Sequence, residues 1–144
     1  MSYVKIWLHC VLSTKNRECI ITNSLRPVLL SHFMEYAKSK TIVLDSINAY
    51  KDHVHCLINL KKEQNIAKIM QLLKGESSFW INKMQLTNYH FAWQDDYFAA
   101  SVSHAQVYKV RDYINNQDEH HKKMIWEEEL NLFLEKYRFE RIKD

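Results

Sequence analysis

From Tyr3 to Leu12 the chain alternates. Val4, Ile6, Leu8, Cys10 and Leu12 fall on one side, and Tyr3, Lys5, Trp7, His9 and Val11 on the other. A period of two marks a β-strand with one face in a core. After the polar stretch Ser13 to Glu18, residues Leu25 to Lys38 take up a helical period, with Pro27 tolerated because it falls in the first turn. Thr41 to Tyr50 is strand-like, Lys51-Asp52 reads as a turn, and His53 to Leu60 is a second strand, so the two predict a hairpin. Asn65 to Met84 predicts a long helix whose apolar stripe is Ile66, Ile69, Met70, Leu73, Trp80, Ile81 and Met84. A strand over Tyr97 to Ser103 follows, then a helix over about 104–119. A last helix over about 126–138 opens with Glu127-Glu128-Glu129 at the positive end of its dipole. The order β-α-β-β-α-β with two appended helices predicts an α+β fold: a ferredoxin-like split βαβ with an antiparallel sheet plus C-terminal helices.

At 144 residues, with one Gly, one Pro and no repeat or low-complexity stretch, residues 1–144 read as a single domain without a linker. Hydrophobic residues make up 47% and charged residues 26%, the balance of a globular chain rather than a disordered one. Met1 to Trp7 has neither a long apolar run nor a small-residue cleavage site, so no secretory leader is expected, and no segment is long and apolar enough for a bilayer. Three cysteines (Cys10, Cys19, Cys56) without C-x-x-C spacing predict reduced thiols and a cytoplasmic location. Residues 1–94 carry 12 Lys/Arg against 6 Asp/Glu, and residues 95–144 carry 8 against 11. A basic body with an acidic tail suits a polyanion partner, although ordinary solvated faces produce such an asymmetry about as often.

The sharpest chemical signal is Asp52-His53-Val54-His55-Cys56-Leu57-Ile58. Because strand side chains alternate, Val54, Cys56, Ile58 and Leu60 form an apolar core face while His53 and His55 project together from the other. Two imidazoles on one rigid strand make an incomplete divalent-metal site that oxygen ligands must finish. Taken alone, His-x-His more often marks exposed or hydrogen-bonded histidines; the apolar opposite face is what fixes the direction of both rings. Leu57 shares the histidine face, so some element must cover part of it.

The second signal is Val110 to Gln117. Tyr113 and Gln117 lie one helical turn apart, beside the apolar stripe of Val107, Val110 and Ile114. The Gln117 amide oxygen could complete a metal shell with Tyr113 beside the same ion. By itself Tyr113 is more often a boundary-of-core aromatic, and a phenol with its usual pKa near 10 is a poor nucleophile at neutral pH. Tyr108, five residues earlier, faces another direction and ranks second. Gly75 breaks a helix at a cost of about 1 kcal/mol, which fits either close approach of a DNA backbone or a surface glycine. Lys15, Arg17 and Lys74 are candidate phosphate contacts, each singly more often a solvated cation. His9 shares the face of His53 and His55 if the first and third strands are neighbours, and is better read as packed or hydrogen-bonded. Trp7, Trp80, Trp93 and Trp126 read as core residues, and His104, His120 and His121 as solvent-side or structural.

With these residues in view the sequence resembles the single-tyrosine HUH transposases, small insertion-sequence enzymes acting on single-stranded DNA, and their REP-associated relatives. The likeness runs through Leu12-Ser13-Thr14-Lys15-Asn16-Arg17, His53-Val54-His55, Leu73-Lys74-Gly75-Glu76-Ser77-Ser78, Trp93-Gln94-Asp95-Asp96-Tyr97-Phe98 with Ser101-Val102-Ser103, and Tyr113 to Gln117 continuing to His121. It departs from the family at Phe98-Ala99-Ala100, where a glycine is usual. The resemblance implies Tyr113 as nucleophile and His53, His55 and Gln117 as ligands of magnesium or manganese. It also implies cleavage of single-stranded DNA near a hairpin through a covalent 5′-phosphotyrosine, and a homodimer. In such dimers the tyrosine helix commonly completes the partner's site, which would account for cover over Leu57. A bacterial or archaeal cell and action at the nucleoid follow. Two other readings stand beside it: a domesticated hairpin-binding protein that does not cut, and a metal-dependent hydrolase of another substrate on the same fold.

Overall fold

The computed structural model describes residues 1–117 and 125–136. Its elements are β1 (Ile6–Thr14), a 3-10 turn (Lys15–Arg17), α1 (Leu25–Ser39), β2 (Val43–Tyr50), β3 (His53–Leu60), α2 (Ile66–Lys83), β4 (Trp93–Val102), a second 3-10 turn (His104–Gln106), α3 (Val107–Asn115) and α4 (Trp126–Lys136). The four strands form one antiparallel sheet in the order β2-β3-β1-β4. This is the split βαβ arrangement expected from the order of elements.

Alternation decides what each face carries. On one face Cys10 and Leu12 of β1 and Val54, Cys56 and Ile58 of β3 pack against Leu25, Leu29, Phe33 and Ala37 of α1 and Ile69, Met70, Leu73 and Ile81 of α2. The two helices begin where polar side chains accept their first N–H groups: Thr22 Oγ1 from Leu25 (3.1 Å) and Asn65 Oδ1 from Lys68 (2.8 Å). The opposite face is not solvent. Trp7, Leu57 and Val102 are covered by Val107 and Ile114 of α3, and Val11, Phe98 and Ala100 by Phe133 of α4. The cover over Leu57 therefore comes from the chain's own tyrosine-bearing helix. Among the described residues no helix is long and apolar enough to cross a membrane.

Where element ends differ from expectation, pairing explains it. β1 starts at Ile6 rather than Tyr3 because its first partner is Leu60, the last residue of β3. β4 starts at Trp93 rather than Tyr97 because it pairs with Thr14 beyond an irregularity in β1. Its Gln94, Asp95, Asp96 and Tyr97 are all exposed, so no alternation announced it. The helix expected from 104 begins as a 3-10 turn and its α-helical part ends at Asn115; residues 118 and 119, and 137 and 138 of the last helix, lie outside the described residues.

Ser77 ties α2 to β4. Its buried hydroxyl donates to the Leu73 carbonyl (2.6 Å) and accepts from Trp93 Nε1 (2.8 Å). Ser77→Ala leaves the indole N–H buried without its acceptor, and urea unfolding is expected to show a loss of about 1–3 kcal/mol. An unchanged midpoint would mean that the indole finds water instead.

Candidate active site

The first residues of β3 build the centre. His53 and His55 are both fully buried on the α3–α4 face, with ring centroids 5.1 Å apart. Each ring is gripped at Nδ1. The His53 Nδ1–H donates to Asp52 Oδ1 at 2.7 Å, and His55 Nδ1 lies 2.9 Å from His9 Nε2 on the neighbouring β1. Asp52 is itself fixed, because its carbonyl accepts from both the amide (2.8 Å) and the hydroxyl (3.2 Å) of Thr14. With Nδ1 so engaged, both rings turn Nε2 toward one point on α4, where Glu129 stands. His55 Nε2 is 3.2 Å from Glu129 Oε1, and His53 Nε2 is 3.8 Å from Oε2.

The ligand atoms of His53, His55 and Glu129 all lie within 4.8 Å of one another. Atoms bound about 2.1 Å from a single ion sit roughly 3–3.5 Å apart, so this donor set fits a divalent cation with little movement. Burial, and then the negative charge of Asp52, push the Glu129 carboxyl up to about 8, as desolvation and a like charge do to any carboxylate. Two imidazoles and one carboxylate are a mixed nitrogen–oxygen set: the imidazoles favour transition metals such as zinc, and the carboxylate is the one donor that also suits magnesium or manganese.

Tyr113 adjoins this centre in the same chain. Its ring centroid is 5.6 Å from that of His55, 6.2 Å from His9 and 5.4 Å from Phe133. Two contacts to β2 hold its helix there. Asp45, the extra residue where β2 bulges against β3, takes both a 2.8 Å and a 2.9 Å bond from the Arg111 guanidinium, which holds the Asp45 carboxyl below its ordinary range. Asn48 Nδ2 donates to the Ile114 carbonyl at 3.0 Å. Tyr108 points away and is exposed. Gln117, one turn beyond Tyr113, is buried and its Nε2 donates to the Tyr113 carbonyl at 3.2 Å.

Sequence reasoning brought the two histidines and Tyr113 together and missed Glu129, which it read only as charge at a helix start. The signal was there: Glu129 falls in register with Leu130 and Phe133, on the side of α4 that packs inward. His9 is hydrogen-bonded, as expected for a buried histidine. Trp7 and Trp93 are core residues, and His104 is structural, accepting from Trp7 Nε1 at 3.2 Å. His120 and His121 lie outside the described residues.

The candidate phosphate contacts cluster at the end of the sheet where β3 begins. Lys15 and Arg17 lie in the 3-10 turn that directly follows β1, with Asn16 and Arg17 in the left-handed region (φ 57° and 54°). Arg17 pairs at 3.4 Å with Glu127 in an exposed contact of little energetic weight. The Lys15 amide donates to Ala92, which opens onto a surface groove lined by Lys74, Gly75, Phe79, Lys83, His90 and Trp93. Lys74 Nζ donates to the Asp95 carbonyl at 2.6 Å. A Cβ built on Gly75 would meet nothing within 4 Å, so packing within the chain does not require a glycine there.

The model of the family described as "Transposase IS200 like" matches residues 2–117. A search of curated protein sequences finds no significant match. Among solved structures, the crystal structure of a Deinococcus radiodurans R1 protein assigned as a transposase superposes with a TM-score of 0.64 at 22% identity, covering 81% of this chain and 95% of that one. A REP-associated tyrosine transposase bound to a REP hairpin superposes with a TM-score of 0.63 at 14% identity, covering 84% of this chain and 72% of that one. At these identities the likeness is one of fold.

Since the Glu129 carboxyl sits near 8 and a cation takes the ionised form, metal uptake below that pH displaces a proton. The Glu129 contribution to Mn²⁺ affinity is expected to rise by up to about tenfold per pH unit toward pH 8 and then level off. Calorimetric titrations at pH 6.5 and 8.5 check this, and Glu129→Gln should flatten the dependence.

Proposed function

The chain belongs to the IS200-like transposases, and on that premise we propose that it cuts and rejoins single-stranded DNA with Tyr113 as the nucleophile, beside a divalent ion held by His53, His55 and Glu129. The observation that carries this reading is the convergence, within one chain, of a phenol and three buried ligand side chains from three different elements. Gln117 is the proposed further donor. Its amide nitrogen donates to the Tyr113 carbonyl, so the proposed ligand atom is the amide oxygen.

In the proposed step the Tyr113 oxygen forms a bond to phosphorus as the bond from phosphorus to the 3′-oxygen breaks. The phenol gives up a proton and the departing 3′-oxygen gains one. A bound magnesium or manganese ion supplies Lewis acidity to a phosphate oxygen and helps orient the strand. The phosphotyrosine keeps the energy of the broken ester, so a 3′-hydroxyl attacking it restores a phosphodiester without ATP. What the chain's own groups supply is position: the α3 contacts to Asp45 and Asn48 fix the phenol beside the histidines before any DNA arrives.

The proposed substrate is a strand carrying a hairpin near the cleavage point, running past Lys15 and Arg17 and along the groove of Lys74 and Gly75. The solved neighbour that holds a REP hairpin supports that substrate class. Two strand ends must meet for rejoining, so a homodimer is proposed as the working unit, with each copy using its own tyrosine. The cytoplasm, at the nucleoid, is its proposed place of action. A non-cutting hairpin-binding protein would need none of the four polar groups gathered around His55.

Incubation of the protein with hairpin-bearing single strands and Mn²⁺ is expected to give a protein–DNA adduct that survives denaturation. Tyr113→Phe should abolish it and Tyr108→Phe should not; an adduct persisting in Tyr113→Phe would overturn the assignment. Lys15→Ala and Arg17→Ala should each lower the slope of log affinity against log salt by about 0.7 for a single strand, read by fluorescence anisotropy between 50 and 200 mM salt. Unchanged slopes would remove that turn from the DNA path.

A further inference from the structure

His9 is costly where it stands. It is 1% exposed, its ring is enclosed by Phe98, Tyr113 and Phe133 at centroid distances of 5.8, 6.2 and 5.4 Å, and among the described residues its Nδ1 has no hydrogen-bond partner. A leucine or phenylalanine would fill such a space without stranding a polar atom. What a hydrocarbon cannot reproduce is the other nitrogen. His9 Nε2 lies 2.9 Å from His55 Nδ1, and the two rings are stacked at 5.2 Å and 27°.

Two proton arrangements fit that contact. In the first, His9 donates from Nε2 and His55 carries its own proton on Nε2, aimed at Glu129, where it would occupy the lone pair a metal needs. In the second, His55 donates from Nδ1 to His9 Nε2, and the His55 Nε2 lone pair faces Glu129. Asp52 enforces the equivalent of the second arrangement on His53, since an ionised carboxylate only accepts and the His53 proton must sit on Nδ1. Burial among Phe98, Tyr113 and Phe133 disfavours a charged imidazolium, so a neutral His9 ring turns a lone pair to His55.

We propose that His9 is a positioning residue for the metal centre: it accepts the Nδ1 proton of His55 and so holds His55 in the tautomer and orientation that bind a divalent ion through Nε2. This rests on the metal-site reading above and extends it to a residue on a different strand. The two histidine ligands then differ in what supports them. His53 leans on the Asp52 carboxylate, and His55 on an imidazole from the neighbouring strand.

The test uses the full chain. Mn²⁺ affinity is measured by the EPR signal of the free ion, at fixed pH, for wild type, His9→Leu and His9→Gln, alongside metal-free thermal unfolding of each. His9→Leu is expected to bind Mn²⁺ about 10–100-fold more weakly, while its metal-free midpoint holds or rises. His9→Gln, which keeps an acceptor, should recover part of the affinity. Wild-type affinity in His9→Leu would overturn the proposal, as would a lower metal-free midpoint that accounts for the whole effect. Failure of the wild type to bind Mn²⁺ would instead sink the metal-site reading itself. Should His9→Leu not fold, ¹⁵N spectra of the Mg²⁺-loaded wild type decide. Protons on Nδ1 of both His9 and His55 support the proposal, and a proton on His9 Nε2 overturns it.

Discussion

The register of β3 between its two neighbours is the constraint on which the rest of the molecule depends. His55 lies opposite Val11 on β1 and Asn48 on β2, and His53 opposite Ser13 and Tyr50. Val54, Cys56 and Ile58 are locked into the α1–α2 core between them. A slip of one residue would drive both imidazoles into hydrocarbon and lift valine and cysteine into the polar centre. The same packing that stabilises the sheet therefore sends both histidines to the α3–α4 face, where their Nδ1 partners set how each ring turns. Because β1 is fixed against β3 by that register, His9 comes into reach of His55 at no further cost in ordering.

Side chains of the edge strand β2 place the tyrosine helix. The bulge at Asp45 and the part-buried amide donor at Asn48 are irregular or polar features that a purely structural strand would do without. Both are spent on α3: one on Arg111, the other on the carbonyl of Ile114. Between them Ile114 enters the small apolar cluster of Trp7, Leu57 and Val107. Tyr113 is thus held from both sides, by ion pairing at Arg111 and by burial at its neighbour, which brings its ring edge to face with His55.

Much of this was legible in the residues. A strict two-residue period on β3 gives both the core face and the ligand face, and the spacing of Val107, Val110 and Ile114 gives the buried side of α3. What escaped was non-local. Glu129 is one of three consecutive glutamates, and only its register with Leu130 and Phe133, not the run of charge itself, marks it as the one that turns inward. The hydrogen bond between His9 and His55 depends on strand order, which the sequence suggests only through the overall βαβ pattern. The start of β4 was hidden because Gln94 to Tyr97 face solvent on both sides of the strand, leaving no period to detect. The roles of Tyr113 and Gln117 came from family likeness, since a phenol and an amide one turn apart have many uses.

The roof over the histidines is made of α4. Phe133 seals the hydrophobic side, Glu129 the polar side, and the histidines beneath have no exposed surface. The residue offered to the cation thus belongs to the element that closes the chamber. An ion held by all three side chains would fasten α4 to β3, so that docking of the last helix and occupancy of the centre would reinforce one another.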